Sequence, residues 1–384
     1  METCNPLIVN NNNKFPIPGR GLHGDETAVA RFGQDATSGY ILTDTLSLGK
    51  SAHGVGYPFS QASDTHTTSA RIPAIAHKAF RCFVLLIIFF AATAVYAQNS
   101  VRHRIFRAGW GSGGPAIFDQ DLKREWSLAN GDELSDGWML PDGGIVFSYS
   151  KRGKEAGIIR LDANKKEQWR YIAPDKHDNH SCQPIPGGGF LAGETAKDGM
   201  WMVEVDKDGK ESKRIKVGDK TKDMFHTFRQ VRKTPQGTYL AAIMNEDKTY
   251  EWDAAGQLIR TFPKGAFVAV RLPDGNTLVS SHNFVIEYDI AGKVVWETTK
   301  PDFEVLGLKV SLVCGLQRLP NGNTVITNVS HGKSIGSGDL VRAFEITREK
   351  RLVWSVPSAT DKGNMGALQI LDIPGDVHRF EVLR

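Results

Sequence analysis

Histidine is the residue type in this sequence that most strongly suggests chemistry. Five of the histidines after residue 100 lie in polar segments that also carry Asp and Arg. An imidazole is the side chain best suited to move a proton near neutral pH, and it is also the commonest metal ligand. We therefore predict His180 and His226 as catalytic candidates. The candidates for ligand binding are His177, Asp178, Arg229, Arg232, His282 and His331.

The spacing of two of these histidines also fits a metal site. His177 and His180 are three residues apart, so they could present two imidazoles to one ion. The sequence shows no further ligand at a fixed spacing from them, so the metal and any other cofactor stay unassigned. His282 and His331 are equally well explained as residues that cap the ends of strands.

Two sequence motifs alternate along the chain, and the strands that they predict must position these residues. The first is an apolar strand, a Pro-Gly turn and a second apolar strand, as in Leu-Pro-Asp-Gly-Asn-Thr-Leu at 272–278. Proline fixes the entry to such a turn, and Gly or Asn takes the positive φ. The turn prolines are Pro141, Pro186, Pro235, Pro273 and Pro320.

The second motif is a strand ending in Asp or Thr, a short turn and a strand ending in Trp or a long basic side chain. Its copies are Asp119–Trp126, Asp162–Trp169, Asp206–Lys213, Asp253–Arg260, Asp289–Trp296 and Thr347–Trp354. Successive copies are 36 to 58 residues apart, which is the length of a propeller blade. The sequence therefore predicts an all-β fold, a six-bladed β-propeller of four-stranded antiparallel blades over residues 98–384.

The C-terminal segment is predicted to close the ring of blades. Residues Ala367–Asp372 align with Gly315–Pro320, which form a first strand and its turn. They should therefore supply the missing first strand of the blade that opens with Ile105–Trp126. Such closure removes exposed edge strands, which otherwise invite aggregation.

The order of strands predicts that the five histidines share one face. Both kinds of turn lie at one face, because one joins the first two strands of a blade and the other joins the last two. The segments before each first strand and the loops after each second strand then lie at the opposite face, and the histidines occur in these. Loops on a rigid scaffold often carry binding residues, and a funnel over the channel is the default pocket.

The N-terminal quarter differs from the repeats. Residues 1–70 are rich in Asn, Gly, Ser and Thr, and are predicted to be disordered. A later start of translation, which would leave them untranslated, is the alternative. Residues 71–97 combine basic residues, an apolar run and small residues before Gln98, which is typical of a secretory signal peptide. We expect export to the periplasm or the exterior; the alternative is a retained membrane anchor through residues 83–97.

Composition excludes two classes of protein. The net charge is only +4 and the pI is about 8.7, so the chain lacks the basic footprint of a nucleic-acid-binding protein. Four cysteines are too few for a disulfide scaffold. Cys182 and Cys314 are expected on first strands across the channel from each other, and therefore unpaired. Membrane contact is expected only through an uncleaved N-terminal segment.

The motif at 272–278, followed by the strands at 287–296, resembles the repeats of exported bacterial propellers of the arylsulfotransferase-like and quinoprotein-like kinds. The resemblance covers Ile105 to Asp372. It is carried by turn and packing residues, so it implies the fold far more than the function. Quinoproteins of this kind carry an adjacent cysteine pair at the cofactor, and this sequence has none.

Arylsulfotransferases transfer a sulfuryl group between phenols through a modified histidine, and nearby His and Arg side chains steady the sulfuryl oxygens. The resemblance implies that His180 or His226 is the nucleophile and that Arg229 and Arg232 are stabilisers. Such an enzyme is the alternative interpretation, as is a metal-dependent hydrolase or lyase on the same face. The first interpretation is an exported propeller that binds a small molecule, a glycan or a protein partner at its His-rich face.

Overall fold

The repeated Pro-Gly turns reverse the chain as predicted. In one of them the backbone N–H of Leu272 donates to the carbonyl of Asn276 (2.8 Å), and that of Gly275 donates to the carbonyl of Leu272 (3.0 Å). Gly275 has a φ of 89°, a conformation that glycine adopts without steric cost. The glycines that take positive φ in the equivalent turns are Gly143, Gly187, Gly237 and Gly322.

The computed structural model describes residues 101–384 except 112–113, 130–131, 220, 222, 331–339 and 361–362. The segments 1–70 and 71–97 lie outside the described residues, so the predictions of disorder, a signal peptide and export stay predictions. In the described part of the chain, no helix is both long enough and apolar enough to cross a bilayer.

The described strands form six antiparallel sheets, one for each blade. Blade 1 contains β1 (Ile105–Ala108), β2 (Ala116–Phe118), β3 (Arg124–Ser127) and the last strand, β25 (Ala367–Ile370). Blade 2 contains β4 (Gly137–Met139), β5 (Ile145–Ser150), β6 (Ala156–Leu161) and β7 (Glu167–Ile172). Blade 3 contains β8 (Asp178–Asn179), β9 (Gln183–Pro184), β10 (Phe190–Ala196), β11 (Gly199–Val205) and β12 (Glu211–Gly218).

Blade 4 contains β13 (Phe228–Lys233), β14 (Tyr239–Ile243), β15 (Lys248–Trp252) and β16 (Leu258–Phe262). Blade 5 contains β17 (Ala269–Arg271), β18 (Thr277–Ser281), β19 (Phe284–Tyr288) and β20 (Val294–Thr299). Blade 6 contains β21 (Leu312–Arg318), β22 (Thr324–Val329), β23 (Ala343–Ile346) and β24 (Leu352–Val356). The helices among the described residues are α1 (Lys300–Val305) and three 3-10 turns at Pro186–Gly188, Ser358–Thr360 and Val377–Arg379.

The ring closes as predicted. β25 pairs with β1 in antiparallel register, with Ile105 opposite Ile370 and Ala108 opposite Ala367. The sheet order β25-β1-β2-β3 makes the C-terminal strand the first strand of blade 1. The prediction of a six-bladed propeller closed by the C-terminal strand is therefore confirmed.

Burial falls from the channel to the rim of each blade. Every residue of β5 and β14 is buried, because both faces of a second strand pack against neighbouring blades. The outermost strands β3 and β16 are largely exposed. The core therefore lies between blades, where apolar clusters join adjacent sheets, as blades 5 and 6 do through Val285 and Phe344.

Buried and partly buried ion pairs also join successive blades. A basic residue near the end of a first strand meets a glutamate on the third strand of the preceding blade. Lys233 pairs with Glu204 at 2.6 Å, and the same geometry recurs in the next two blades. The further pairs are Arg271 with Glu251 at 2.6 Å and Arg318 with Glu287 at 2.9 Å.

The C-terminal residues lie inside the channel, in the half nearer to the face that carries the Pro-Gly turns. Arg384 donates to Asp136 (3.1 Å) and to the carbonyl of Gly137 (2.6 Å), and its guanidinium lies 4.0 Å from the ring centroid of Trp138. Arg232 donates to the same carboxylate at 2.8 Å. The channel is therefore blocked towards the face that carries the Pro-Gly turns.

Candidate ligand site at the channel mouth

The first strands bring one residue of each blade to the same level of the channel. This residue lies six positions before the turn proline, or before Asp372 in blade 1. It therefore lies near the start of the first strand, at the end opposite to the Pro-Gly turn. We call these six residues the mouth ring. They are Ser135, His180, Arg229, Phe267, Cys314 and Gly366.

Hydrogen bonds tie the mouth ring together and form its floor. Ser135 Oγ lies 3.0 Å from His180 Nδ1, which joins blades 2 and 3. Gln230 follows Arg229 in the chain, and its amide donates to the carbonyls of Ser135 (2.7 Å) and Gly366 (3.0 Å). One side chain of blade 4 thus spans the channel to blades 1 and 2, so the site is a cup that opens on the histidine face.

Arg229 is a buried cation that has no compensating anion among the described residues. Only 3% of the residue is exposed, and its Nε and Nη1 have no hydrogen-bond partner in the described chain. Burial lowers the pKa of its guanidinium below the usual range. The carboxylates of Glu133 and Asp178 act on it electrostatically, but they are bonded to Arg152 and His180. A desolvated charge costs several kcal/mol unless it is paired, so this position favours an anion.

Phe225 covers the polar side of the mouth ring. Its ring is stacked between two guanidinium groups, with Arg152 at 3.8 Å and Arg229 at 4.3 Å from the centroid. The imidazole of His180 meets the same ring edge-on at 5.1 Å. Arg152 is largely exposed and bonds to Glu133 at 2.8 Å. Since Phe225 belongs to the loop between β12 and β13, a ligand that reaches Arg229 must displace this aromatic ring.

Asp178, His180 and Ser135 form a hydrogen-bonded chain at the same place. Asp178 Oδ2 lies 3.3 Å from His180 Nε2, and the opposite ring nitrogen meets the serine hydroxyl. Burial by itself would raise the pKa of Asp178. Its interaction with His180 and hydrogen bonds from Ser150 and the backbone of Asn179 outweigh burial and hold the pKa well below the usual range. The carboxylate therefore stays ionised and orients the imidazole.

The other half of the mouth ring is apolar. Phe267 and Cys314 form one buried cluster with Val329 and with the partly buried Trp110. Gly366 makes room for the indole, because a Cβ at that position would stand 2.8 Å from Trp110. Burial raises the pKa of the Cys314 thiol to about 12 despite the nearby Arg229, so the thiol is neutral. The cup thus has one cationic, polar side and one apolar side.

The structure brings four of the eight predicted site residues to the mouth. Asp178, His180 and Arg229 lie at its polar side, as described above. His282 lies next to the apolar side, where its ring meets Phe267 edge-on at 5.8 Å. Both cysteines of the propeller are free, which agrees with their expected separation.

His177 and His226 have separate partners. The imidazole of His177 stacks on Trp201 at 4.6 Å and bonds to Glu194 at 2.8 Å. Glu194 is also bound by Arg214 of the outermost strand β12, so His177 belongs to a group of blade 3 side chains rather than to the mouth ring. His226 is half-exposed and bonds to Asp223 of its own loop, beside the covering ring of Phe225.

Arg232 and His331 complete the set of predicted residues. Arg232 is buried below the mouth, where Asp136, Gln230 and the carbonyl of Arg384 satisfy its guanidinium. It is part of the structure that blocks the channel. His331 lies outside the described residues. The roles predicted for all eight residues stay predictions.

Residue-type reasoning overlooked Ser135, Phe267, Trp110 and Phe225. The first two could have been found from the constant spacing to the turn proline, which already placed His180 and Arg229 in equivalent positions. Trp110 and Phe225 lie outside the first strands, so the repeat pattern carries no signal for them.

No cluster of three or more His, Cys, Asp or Glu side chains suited to a metal ion occurs among the residues that the structure describes. The identity of any metal or cofactor therefore stays unassigned.

Comparison with known proteins adds evidence for the fold. No protein-family model matches the sequence, and no curated protein matches it significantly. The chain is similar in structure to a protein of unknown function from Bacteroides caccae. The two are 23% identical with a TM-score of 0.62, over 70% of this chain and 98% of that one. A virginiamycin B lyase from Staphylococcus aureus gives 13% identity and a TM-score of 0.45, over 67% and 86%. At 23% identity, the similarity to the Bacteroides caccae protein shows the fold alone.

Proposed function

We propose that this protein is an exported β-propeller that binds a small anionic molecule at the mouth ring. The guanidinium of Arg229 carries the proposal, because its Nε and Nη1 have no partner among the described residues. It is withheld from water at the end of a closed channel, and a bound anion would supply the missing charge and hydrogen-bond acceptors. A buried charge without a partner lowers the stability of the folded protein. Such a local loss of stability is expected at a site whose partner is a ligand.

The burial and chemistry of the mouth ring favour a small anionic molecule over the other predicted ligands. The residues of the mouth ring are nearly inaccessible, so a folded protein partner would reach only the covering loop. A neutral glycan would leave the charge of Arg229 uncompensated. Export is supported by the sequence pattern at residues 71–97.

Sulfuryl transfer through His180 is the second candidate, because a histidine and a free guanidinium share the polar side of the mouth ring. Both ring nitrogens of His180 are already bonded, one to Ser135 and one to Asp178. A nucleophilic imidazole would have to break one of these bonds. Incubation with an aryl sulfate, followed by mass spectrometry, tests this candidate, since it predicts a sulfuryl group on His180.

Calorimetric titration with methanesulfonate, sulfate and short carboxylates tests the primary proposal. The matched variants are Arg229→Met, which keeps a long buried stem, and Arg351→Gln, which changes an exposed arginine in a turn on the opposite face. A hydrogen bond to a charged group contributes about 1.5–3 kcal/mol, so Arg229→Met should weaken binding at least about tenfold. Arg351→Gln should bind like the natural chain.

The stability of the same variants provides an independent check. Removing an unpaired buried charge should leave the melting temperature unchanged or raise it, whereas removing a structural arginine should lower it. Anion binding that survives in Arg229→Met, or an absence of binding in the natural chain, would contradict the proposal.

A further inference from the structure

We infer that Ser135 is a nucleophile activated by His180, and that the anionic molecule bound at the mouth ring is a carboxylic ester cleaved there. This inference rests on the proposed function, because Arg229 must hold the substrate. Three consecutive blades supply the parts. Blade 2 gives Ser135, blade 3 gives His180 with Asp178, and blade 4 gives Arg229.

The hydrogen bonds determine which nitrogen acts as the base. The carboxylate of Asp178 can only accept, so Nε2 of His180 carries the proton that bridges the 3.3 Å to it. Nδ1 is then the unprotonated nitrogen, and it accepts from the hydroxyl of Ser135 at 3.0 Å. A hydroxyl, an imidazole and an orienting carboxylate in this sequence are the parts of an activated serine.

The order of contacts also fixes the orientation of the three groups. Asp178 is bonded to the backbone N–H of Asn179 at 3.0 Å, so its carboxylate is held in place. The carbonyl of Ser135 accepts from Gln230, which fixes the backbone of the nucleophile. The imidazole is packed edge-on against Phe225. A catalytic group needs this kind of fixed geometry, and a serine that merely fills space does not.

The chemical step follows from these positions. Ser135 Oγ forms a bond to the carbonyl carbon of the ester, and its proton moves to Nδ1 of His180. Collapse of the tetrahedral adduct breaks the bond to the leaving alcohol, which takes the proton from Nδ1. Water then attacks the acyl-serine with His180 as base again, which releases the acid and restores the hydroxyl.

Arg229 and the apolar side of the cup define the substrate. An acid group elsewhere in the molecule would pair with the free guanidinium, and Phe267 and Trp110 would contact an apolar portion. We therefore expect small esters with a second, anionic group, such as the mono-p-nitrophenyl ester of glutaric acid. The matched neutral ester, p-nitrophenyl butyrate, should be a poorer substrate by at least about tenfold.

Labelling with a fluorophosphonate, with the modified residue located by mass spectrometry, tests the inference. The chains compared are the natural one, Ser135→Ala, His180→Gln and Phe225→Ala, with the exposed Ser212→Ala as the control. We expect one adduct on Ser135 in the natural chain and in Ser212→Ala, faster labelling in Phe225→Ala, and at least about a hundredfold slower labelling in His180→Gln. Ester hydrolysis should follow the same order.

The outcomes separate this inference from the proposed function. If methanesulfonate binds through Arg229 but Ser135 stays unlabelled even in Phe225→Ala, the nucleophile is wrong and the binding site stands. If Ser135 is labelled and depends on His180 while no anion binds, the proposed anion site is wrong. Ser135→Ala should lose labelling and ester hydrolysis and still bind methanesulfonate through Arg229, while its melting temperature falls because the buried Nδ1 of His180 loses its partner. A loss of methanesulfonate binding in Ser135→Ala would assign Ser135 a structural role.

Discussion

Glu287 on β19 offers a strong test of how the blades are held together. Its side chain is almost completely buried and bonds to Arg318 (2.9 Å), to Arg348 (2.8 Å) and to the amide of Asn276 (2.9 Å). Arg318 belongs to the next blade, so the carboxylate joins blades 5 and 6. Burial raises the pKa of Glu287, but the two arginines and Asn276 outweigh this effect and lower it.

The loss in free energy of unfolding caused by Glu287→Gln depends on which of its partners can be rehydrated. Arg348 is nearly half-exposed and can be rehydrated, so its loss contributes less than about 1 kcal/mol. Arg318 is 9% exposed and would keep a buried charge without a counter-ion. Breaking a buried pair in this way costs about 3–5 kcal/mol. We expect the lower end, about 3 kcal/mol, because glutamine preserves the volume and can still bond to Asn276.

Urea unfolding at pH 7 measures this loss as a lower midpoint with an unchanged slope. Glu297→Gln on the exposed part of β20 is the matched control and should stay within about 0.5 kcal/mol of the natural chain. Arg318→Met added to Glu287→Gln should recover part of the loss, because it removes the unpaired cation. A loss below about 1 kcal/mol for Glu287→Gln, or no recovery in the double variant, would refute the reasoning.

Three further predictions concern other parts of the ring. His103 bonds to Glu345 and Asp372. Burial by itself would lower the pKa of His103, but these bonds outweigh burial and raise the pKa above 6.5. The contribution of His103 to the free energy of unfolding should therefore be complete below about pH 6.5 and decrease as the pH rises through the raised pKa, and His103→Gln should remove this slope from the urea midpoints. Arg384→Met leaves the carboxylate of Asp136 with one cation instead of two, so thermal unfolding should show a lower melting temperature. Cys314 and Cys182 are buried neutral thiols, so iodoacetamide should modify them only after unfolding, as read by mass spectrometry; rapid labelling of the folded chain would contradict their placement.

The turn residues explain why the fold was predictable from the sequence. A proline followed by a glycine with positive φ sets the register of each hairpin, so five such turns and the alignment of Ala367–Asp372 were sufficient to predict six blades and their closure. The mouth was less predictable. His177 and His180 are neighbours in sequence, yet β8 begins between them and the two imidazoles have different partners. Contacts of loop residues such as Phe225 depend on loop shape, which no periodicity encodes.

The pairing of β1 with β25 has a consequence for the order of folding. Ile105 is among the first propeller residues to be synthesised and its partner Ile370 among the last, so blade 1 cannot be completed until nearly the whole chain has emerged. Contacts this distant in sequence slow folding, since a long loop must close before they form. Until then β1 offers an unpaired edge, which favours association between nascent chains. Blades 2 to 6 each consist of consecutive strands, so we expect them to form first and blade 1 to form last.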